Sequence, residues 1–456
     1  MNDVPSRRFS EERINLDRSL ISRTLATDRL RRAGMLVLAL ILVLTGSYVR
    51  TRSVEEATAA DWLILVQLGL SMSGGCLGVL LLRRHPVVGF GAKALGAYVV
   101  AVIVSGLFSS YFVITFGYWI LLTGTSLLCI GLISSSVTQD SLRDVEGLIL
   151  ATLSFMLLKD SLIDALYFRP QVEKMEEMGI EMYRFGMGST SSNSMGLVAA
   201  IAFWMTFRMP SEHGGSGILK YFWRSLFAVV VVLTRARIAL VAVVGTAAIR
   251  WWFVHWHSRG VRSHVLLVAV PCLAASAALL LAMTSLLGVP LATDALAFVN
   301  RGEDSETMMS VTGRTYIWPH AIDRILEGPV STIFGHGYGT SKFVLNNNNP
   351  NASFFAYHAH NTFLEVTLST GLLSAIPFVA LLVYSLKWLF RFSRVLKAFS
   401  LGFALRATTV VSAILSSTLT ESELATKLGP VLVVFLFYVL ALDRHEAFLT
   451  QVSEQP

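Results

Sequence analysis

Two histidines and an asparagine stand directly before a long apolar stretch. The segment reads His358-Ala359-His360-Asn361-Thr362-Phe363-Leu364-Glu365. Thr362 and Glu365 have the spacing of a capping box, which favours a helix that starts here. His358 and His360 would then precede a helix N-terminus, where unpaired N–H groups and the helix dipole disfavour an imidazolium and attract anions. A neutral imidazole at such a place suits a general base that takes a proton from a hydroxyl. The alternative, stronger for His358, is a histidine that only bonds loop carbonyls.

Four arginines supply the cations that an anion site needs. Arg235 and Arg237 lie between two apolar stretches that are too close together for a proper loop. Arginines at membrane depth are costly and usually face a partner or a wet cavity, although a side chain that only extends to the interface is the alternative. Arg301 and Arg314 belong to a later polar segment, where arginines are usually just solvated. Because the guanidinium fork matches phosphate oxygens, the group indicates a phosphate-bearing ligand.

Metal binding is not indicated. The sequence has no Asp-x-Asp pair, no spaced set of Cys and His and no His-Glu-x-x-His, so we expect neither a metal nor another cofactor. The acidic run at 303–306 is predicted to be a solvated loop face. Lys159, Asp160 and Asp164 have two open interpretations, as residues that line the mouth of a site or as a structural cluster. The cysteines lie in apolar stretches and are expected to be small buried hydrophobes without a disulfide: Cys76, Cys129 and Cys272.

The elements that must position these residues are transmembrane helices. Of the 456 residues, 54% are hydrophobic and only 15% are charged, whereas a soluble domain is about 25% charged. Since a transmembrane helix needs roughly 20 mainly apolar residues, we predict an all-α, polytopic integral membrane protein of about twelve such helices. They are expected near residues 33–49, 61–82, 92–108, 113–134, 146–166, 194–208, 221–234, 238–255, 264–286, 361–386, 402–419 and 429–442.

The charge distribution predicts how the helices are oriented. The net charge is +7, but the basic residues fall in short loops, which is typical of an orientation signal and argues against nucleic-acid binding. Eight arginines precede the first apolar stretch, which lacks a small-residue cleavage site and is expected to be retained. We predict both termini inside the cell. The expected domains are a cytoplasmic segment 1–32, transmembrane helices in 33–287, an outside loop 288–360, transmembrane helices in 361–442 and a cytoplasmic tail 443–456.

The large outside loop carries a pattern of its own. Between Trp318 and Gly328 there is an early Pro319 and a final glycine, which is a helix-boundary pattern. The apolar residues between them are spaced to share one face. We therefore predict an amphipathic helix that rests on the outer membrane surface.

These motifs together resemble the O-antigen ligase and polysaccharide polymerase superfamily, bacterial membrane glycosyltransferases of the GT-C type. The family signature is His-Asn, nine residues and Gly-x-x-Gly, and Ser374 stands here in place of its last glycine. The matching residues are His360, Asn361, Leu364, Glu365 and Gly371.

Other segments extend the resemblance. Thr234-Arg235-Ala236-Arg237 is similar to the family's Ser-x-Ser-Arg turn and aligns the family arginine with Arg237. Arg301-Gly302 and the run from Thr312 to Trp318 are similar to a Gly-Arg-Thr…Trp element, notably in exopolysaccharide polymerases. The segments at 335–339 and 192–196 match a glycine-rich segment and an Asn-x-x-Gly helix start.

The resemblance implies transfer of a glycan from an undecaprenyl-diphosphate carrier to an acceptor hydroxyl, with inversion, at the periplasmic face of the bacterial inner membrane. It assigns His360 as base or acceptor-positioning group and Arg237 and Arg314 as diphosphate clamps. Further substrate-binding candidates are Asn361, Arg301, His358 and Arg235. The expected partners are the lipid-linked glycan, an acceptor glycan or the lipid A core, the bilayer and polysaccharide-export proteins, with no nucleic acid.

Several functions remain compatible with the sequence. A polymerase of exopolysaccharide or O-antigen repeat units is favoured, and a ligase that transfers finished polysaccharide to the lipid A core is the alternative. A lipid-linked sugar flippase or transporter would also use membrane arginines, but it should line a path through the bilayer with charge. A structural subunit of an envelope assembly would not need His360.

Overall fold

The regular structure of the protein is helical throughout the part described. A computed structural model describes residues 26–45, 62–85, 89–136, 138–166, 191–207, 217–234, 236–256, 314–347, 356, 358–391, 399–418, 421, 422, 424, 425 and 428–453. No strand occurs in these ranges. The all-α prediction is therefore confirmed for them.

Eleven longer helices and three short ones make up the described chain. They are α1 (26–45), α2 (Trp62–Arg84), α3 (Phe90–Leu107), α4 (Phe112–Ser135), α5 (Gln139–Leu166), α6 (Ser192–Met205), α7 (Gly217–Leu233), α8 (Arg237–Trp256), α9 (Arg314–Ile325), α10 (Pro329–Phe334), α11 (Ser341–Asn346), α12 (Thr362–Phe390), α13 (Leu401–Ser417) and α14 (Pro430–Ser453). Each longer helix overlaps one predicted transmembrane stretch. The predicted helix at 264–286 lies outside the described residues.

The composition of the helices fits a membrane. Four of them are long and apolar enough to cross a bilayer: Trp62–Arg84, Phe90–Leu107, Phe112–Ser135 and Thr362–Leu389. Large apolar side chains are also exposed along the outside of the bundle, as lipid contact requires, including Val100, Val113, Leu162, Val244, Ile376 and Val383. The count of twelve spans stays a prediction.

Small residues let α2 and α4 approach each other closely. A side chain at Gly78 would come within 2.2 Å of the Leu127 carbonyl oxygen, and one at Gly124 within 2.0 Å of the Ser71 carbonyl oxygen. Membrane helices associate through such small residues because lipid supplies no hydrophobic drive between them. Both contacts run in the same chain direction, so α2 and α4 are parallel.

One end of the bundle is tied together by an acidic residue of α14. Asp443 accepts hydrogen bonds from the backbone N–H groups of Gly91 and Ala92 at 2.8 and 3.0 Å, and from the Tyr384 hydroxyl at 2.7 Å. The carboxylate thereby satisfies unpaired donors in the first turn of α3. This end holds the start of α3 and the ends of α12 and α14, and we call it the distal end.

A buried ion pair joins α5, α13 and α14. The Arg406 guanidinium donates from Nε and Nη2 to the two Glu146 carboxylate oxygens at 2.8 and 2.9 Å, and the Tyr438 hydroxyl donates to Oε1 at 2.6 Å. Arg406 and Glu146 are buried. Removing one partner of such a pair typically costs about 3–5 kcal/mol, since it leaves an uncompensated charge. No pattern in the sequence pointed to this pair.

Candidate functional site

The predicted helix start after the histidines is real, but its cap differs from the expected one. Asn361 is the N-cap of α12, and its side-chain oxygen accepts hydrogen bonds from the N–H groups of Phe363 and Leu364 at 3.0 and 3.1 Å. The capping box of Thr362 and Glu365 is therefore wrong. Asparagine is as good an N-cap as threonine or better, and the helix begins at Thr362, one residue earlier than that box requires.

Thr362 and Glu365 instead tie the helix start to other segments. The Thr362 hydroxyl donates to the Glu421 carbonyl at 2.7 Å, and its N–H donates to the Thr418 carbonyl at 2.9 Å. The buried Glu365 carboxylate accepts the Ala359 N–H at 2.8 Å and the Ser341 hydroxyl. These bonds fix the residue between the two histidines.

A second hydrogen bond to the backbone of Ala359 comes from α9. The indole N–H of Trp318 donates to the Ala359 carbonyl at 2.9 Å. Ala359 is fully buried and thus held on both its N–H and its carbonyl. Because its neighbours are His358 and His360, the histidine segment has a fixed backbone before any substrate binds.

His360 has an unusual backbone conformation. Its φ is +50°, in the left-handed region that few residues other than glycine adopt. Such conformations cost about 1–3 kcal/mol and persist where surrounding contacts enforce them, often at functional sites. The His360 and His358 rings are 3.9 Å apart between centroids. The surrounding contacts thus hold His360 in this backbone conformation despite its cost in free energy.

The electrostatic partner of His360 is a buried glutamate. The ring Nδ1 lies 3.5 Å from Oε2 of Glu421, whose side chain is 3% exposed, while the His360 side chain is 27% exposed. This separation is slightly longer than a hydrogen bond, and Nδ1 has no hydrogen bond to another described residue. Catalytic hydrogen bonds are often long before substrate binds.

Glu421 is itself firmly held. Its Oε1 accepts a hydrogen bond from the Asn193 side-chain amide of α6 at 2.8 Å. Its backbone N–H donates to Ser417 at 2.8 Å, and its carbonyl accepts the Thr362 hydroxyl. No motif in the sequence pointed to Glu421. A buried acid between two apolar stretches is the signal that could have found it.

His358 is held by a different residue of the same segment. Its Nδ1 lies 2.8 Å from the Ser422 hydroxyl and 3.3 Å from the His360 N–H. A backbone N–H can only donate, so Nδ1 is unprotonated in this bond and the proton is on Nε2. His358 therefore helps to hold the histidine segment against the segment of Ser422, and the substrate role suggested for it stays a prediction.

The start of α8 lies beside the start of α6. A side chain at Gly196 would come within 2.7 Å of both the Thr234 hydroxyl and the Ala236 methyl group. Arg237 is the first residue of α8. Since α6 also carries Asn193, a continuous set of contacts joins the Thr234–Arg237 turn to Glu421 and then to His360.

The structure describes the candidate arginines only in part. Arg314 is the first residue of α9, one helical turn before Trp318. Because Trp318 bonds the Ala359 carbonyl, this part of α9 lies near the histidine segment. Arg235 and Arg301 lie outside the described residues, as do the side chains of Arg237 and Arg314.

A glycine-rich segment docks on a break in α12. Gly371 interrupts the helix with φ +66° and ψ −178°. The N–H groups of His336 and Gly337 donate to the Leu368 and Ser369 carbonyls at 3.0 and 2.6 Å. In an unbroken helix each of these carbonyls would accept the N–H group of the residue four positions later in the chain. The break leaves both carbonyls available to the N–H groups of the glycine-rich segment.

The same segment packs against the turn between α3 and α4. The hydroxyls of Ser105 and Ser109 donate to the Phe334 and His336 carbonyls. Tyr338 is fully buried, and burial raises the pKa of its phenol well above the ordinary value. This phenol therefore stays protonated and is a packing residue. We call this end, which includes the histidine segment, the site end.

The predicted amphipathic helix is present, with different bounds. It begins at Arg314, and Pro319 lies inside it. One apolar row is buried against α11 and α12, and the expected contact of the helix with a membrane surface stays a prediction. The residues of this small core are Ile317, Ala321, Ile325, Val344, Leu345, Ala356, Ala359 and Leu368. A second row, with Ile322 and Leu326, is exposed.

Two residues of the cluster on α5 form an ion pair, and both interpretations of the cluster stay open. Lys159 Nζ lies 3.0 Å from the Asp160 carboxylate, and Asp164 is fully buried four residues further on. Across the ranges that the structure covers, no group of three or more His, Cys, Asp or Glu side chains is arranged to hold a metal ion.

Fold and site define a polytopic helical membrane protein with a conformationally fixed histidine at one end of its bundle. The family model described as O-antigen ligase matches residues 225–379, less than half of the 456 residues. This match confirms the resemblance to the O-antigen ligase and polysaccharide polymerase superfamily. No curated protein matches the chain significantly. His360 and all four arginines lie in the matched region, whereas Asn193 and Glu421 lie outside it.

Proposed function

We propose that this protein is a membrane glycosyltransferase that moves a glycan from an undecaprenyl-diphosphate carrier to an acceptor hydroxyl. The observation that carries the proposal is the His360 imidazole, held in a left-handed backbone conformation ahead of α12 and facing a buried carboxylate. A histidine fixed beside an acid is the usual arrangement for a general base. The O-antigen ligase match, which includes His360, supports this chemistry.

The reaction assigns distinct tasks to the site residues. His360 takes the proton of the acceptor hydroxyl, and the hydroxyl oxygen attacks the anomeric carbon as the bond to the diphosphate oxygen breaks. The electron pair leaves with the diphosphate, whose charge Arg237 and Arg314 stabilise. One displacement inverts the anomeric carbon. Arg235 and Arg301 are further candidates for the diphosphate, and His358 and Asn361 support the geometry.

The proposed location is the bacterial inner membrane, with the site end in the periplasm. Arg83 and Arg84 end α2, which runs parallel to α4 and thus away from the site end. Basic residues at the distal end favour a cytoplasmic position for it. Under this orientation the lipid carrier reaches the site sideways between helices, and the segment 314–347 covers the site.

The acceptor distinguishes polymerase from ligase. We favour a polymerase of repeat units, because Arg301-Gly302 and the run from Thr312 to Trp318 resemble exopolysaccharide polymerases. The description of the matching family favours the ligase as the second candidate. Both use the same donor and the same site.

A deletion strain tests this choice. We expect it to lose high-molecular-weight polysaccharide, to retain at most single repeat units and to keep an otherwise normal lipid A core. Gel electrophoresis of extracted glycans shows the chain lengths. Long chains that accumulate on undecaprenyl diphosphate and never reach the lipid A core would replace the polymerase by the ligase. Unpolymerised lipid-linked units confined to the cytoplasmic leaflet would indicate the flippase instead.

Arginine-to-lysine variants test the diphosphate clamps. We expect Arg237→Lys and Arg314→Lys each to slow transfer by about tenfold or more, since a charge-assisted hydrogen bond contributes roughly 1.5–3 kcal/mol and lysine lacks the bidentate fork. The readout is the initial rate with purified protein and lipid-linked donor. Arg324→Lys is the control, because Arg324 lies near the end of the same helix as Arg314 and pairs with the exposed carboxylate of Glu327. Wild-type rates in both test variants would remove the arginines from the mechanism.

A further inference from the structure

We propose that Glu421 is the positioning residue for His360. This inference rests on the proposed function and extends it to a residue outside the matched family region. Oε2 of Glu421 is the acidic oxygen that faces Nδ1 of His360, at 3.5 Å. No motif in the sequence analysis contains Glu421.

The arrangement directs one carboxylate oxygen at the imidazole. Oε1 of Glu421 is engaged by Asn193 at 2.8 Å, which fixes the plane of the carboxylate. The backbone of Glu421 is fixed at both its N–H and its carbonyl by bonds to α13 and α12. The acid and the histidine therefore approach each other from two separately anchored segments.

The consequence for catalysis follows from the two ring nitrogens. A carboxylate at Nδ1 favours the tautomer with its proton on Nδ1, which leaves the lone pair of Nε2 for the acceptor hydroxyl. When Nε2 takes that proton, the imidazolium gains an adjacent negative charge. Glu421 keeps its own charge throughout, as the acid of a serine-protease triad does. It touches neither donor nor acceptor.

The burial of Glu421 supports this role. A carboxylate that is 3% exposed has lost most of its hydration, a desolvation cost that its polar and charged neighbours must offset. The ionisable ring of His360 faces Oε2 of this carboxylate. An imidazolium formed during the reaction would complete the pair.

The test uses variants that separate charge from shape. Glu421→Gln keeps the size of the side chain and an oxygen for Asn193 but removes the charge. By analogy with carboxylates that orient metal-bound histidines, we expect kcat to fall about 10- to 100-fold. KM for the lipid-linked donor should stay within about twofold, because the acid does not touch the donor. Glu421→Asp keeps the charge and should recover part of the rate.

A double variant distinguishes positioning from a structural role. If Glu421 acts through His360, adding Glu421→Gln to His360→Ala should slow transfer no further, since residues that act as a unit are not additive. Independent losses that multiply would overturn the proposal. Glu327→Gln is the matched control, because it removes the same charge from an exposed side chain at the site end.

The outcomes separate this inference from the function on which it rests. An active His360→Ala enzyme would contradict the proposed function itself. An inactive His360→Ala enzyme together with wild-type kcat in Glu421→Gln would overturn only the positioning role. If Glu421→Gln fails to fold, Asn193→Ala takes its place, because it releases Oε1 and leaves the charge. That variant should lower kcat several-fold with KM unchanged, and an unchanged kcat would overturn the proposal.

Discussion

Replacing His360 with alanine is expected to abolish glycan transfer while the protein remains inserted and abundant. A positioned general base contributes about 10² to 10⁴ in rate, and the His360 side chain is 27% exposed and adds little to the packing of the bundle. We therefore expect the variant to lose transfer activity while the amount of protein in the membrane stays the same.

The measurement compares polymer and protein in the same cells. Glycan chain length is read from gels, and membrane abundance is read from immunoblots of the tagged protein. His85→Ala is the control, because His85 follows α2 at the distal end. Wild-type polymer from the His360→Ala strain would remove His360 from catalysis. We expect normal polymer from the His85→Ala control. Both variants should be present in the membrane at normal abundance.

The second large effect is expected at the break in α12. Gly371→Ala should sharply reduce the amount of folded protein. The φ of +66° with ψ of −178° is a conformation that only glycine adopts readily, with a cost of about 1–3 kcal/mol for other residues. An added Cβ would also lie 2.2 Å from the Ile333 carbonyl oxygen, which is backbone and cannot rotate away. Strain and overlap together exceed the usual cost of a point mutation.

Thermal unfolding in detergent and fluorescence size-exclusion chromatography measure this effect. Gly96→Ala on α3 is the matched control, because no atom lies within 4 Å of its added Cβ, and alanine is favoured over glycine in helices by about 1 kcal/mol. We expect Gly96→Ala to fold normally. A Gly371→Ala protein with unchanged melting temperature and elution profile would mean that the glycine-rich segment is not docked as described.

The fold could be predicted to the level of its helices. Apolar stretches of about 20 residues are strong signals, and every longer described helix overlaps one of them. The break at Gly371 could not be predicted, because an isolated glycine within an apolar stretch is compatible with a continuous helix. Its conformation depends on the docked segment 335–337, which is distant along the chain.

The site was predictable where its residues are neighbours in sequence. His358, His360 and Asn361 precede a helix as expected, but the capping box was assigned to the wrong residue because Asn361 and Thr362 both suit an N-cap. Glu421 and Asn193 could not be connected with His360, since only the packing of α6, α12 and α13 brings them together. Likewise, the buried face of α9 and a membrane-facing one have the same sequence pattern.

The most direct measurement is glycosidic bond formation by the purified protein. The reaction contains proteoliposomes, an undecaprenyl-diphosphate-linked glycan and an acceptor, either a second lipid-linked unit or a lipid A core. We expect the wild-type protein to form a longer glycan and to release one undecaprenyl diphosphate for each bond, and His360→Ala to do so at least about 100-fold more slowly. Equal product and equal diphosphate release from both proteins would contradict this expectation.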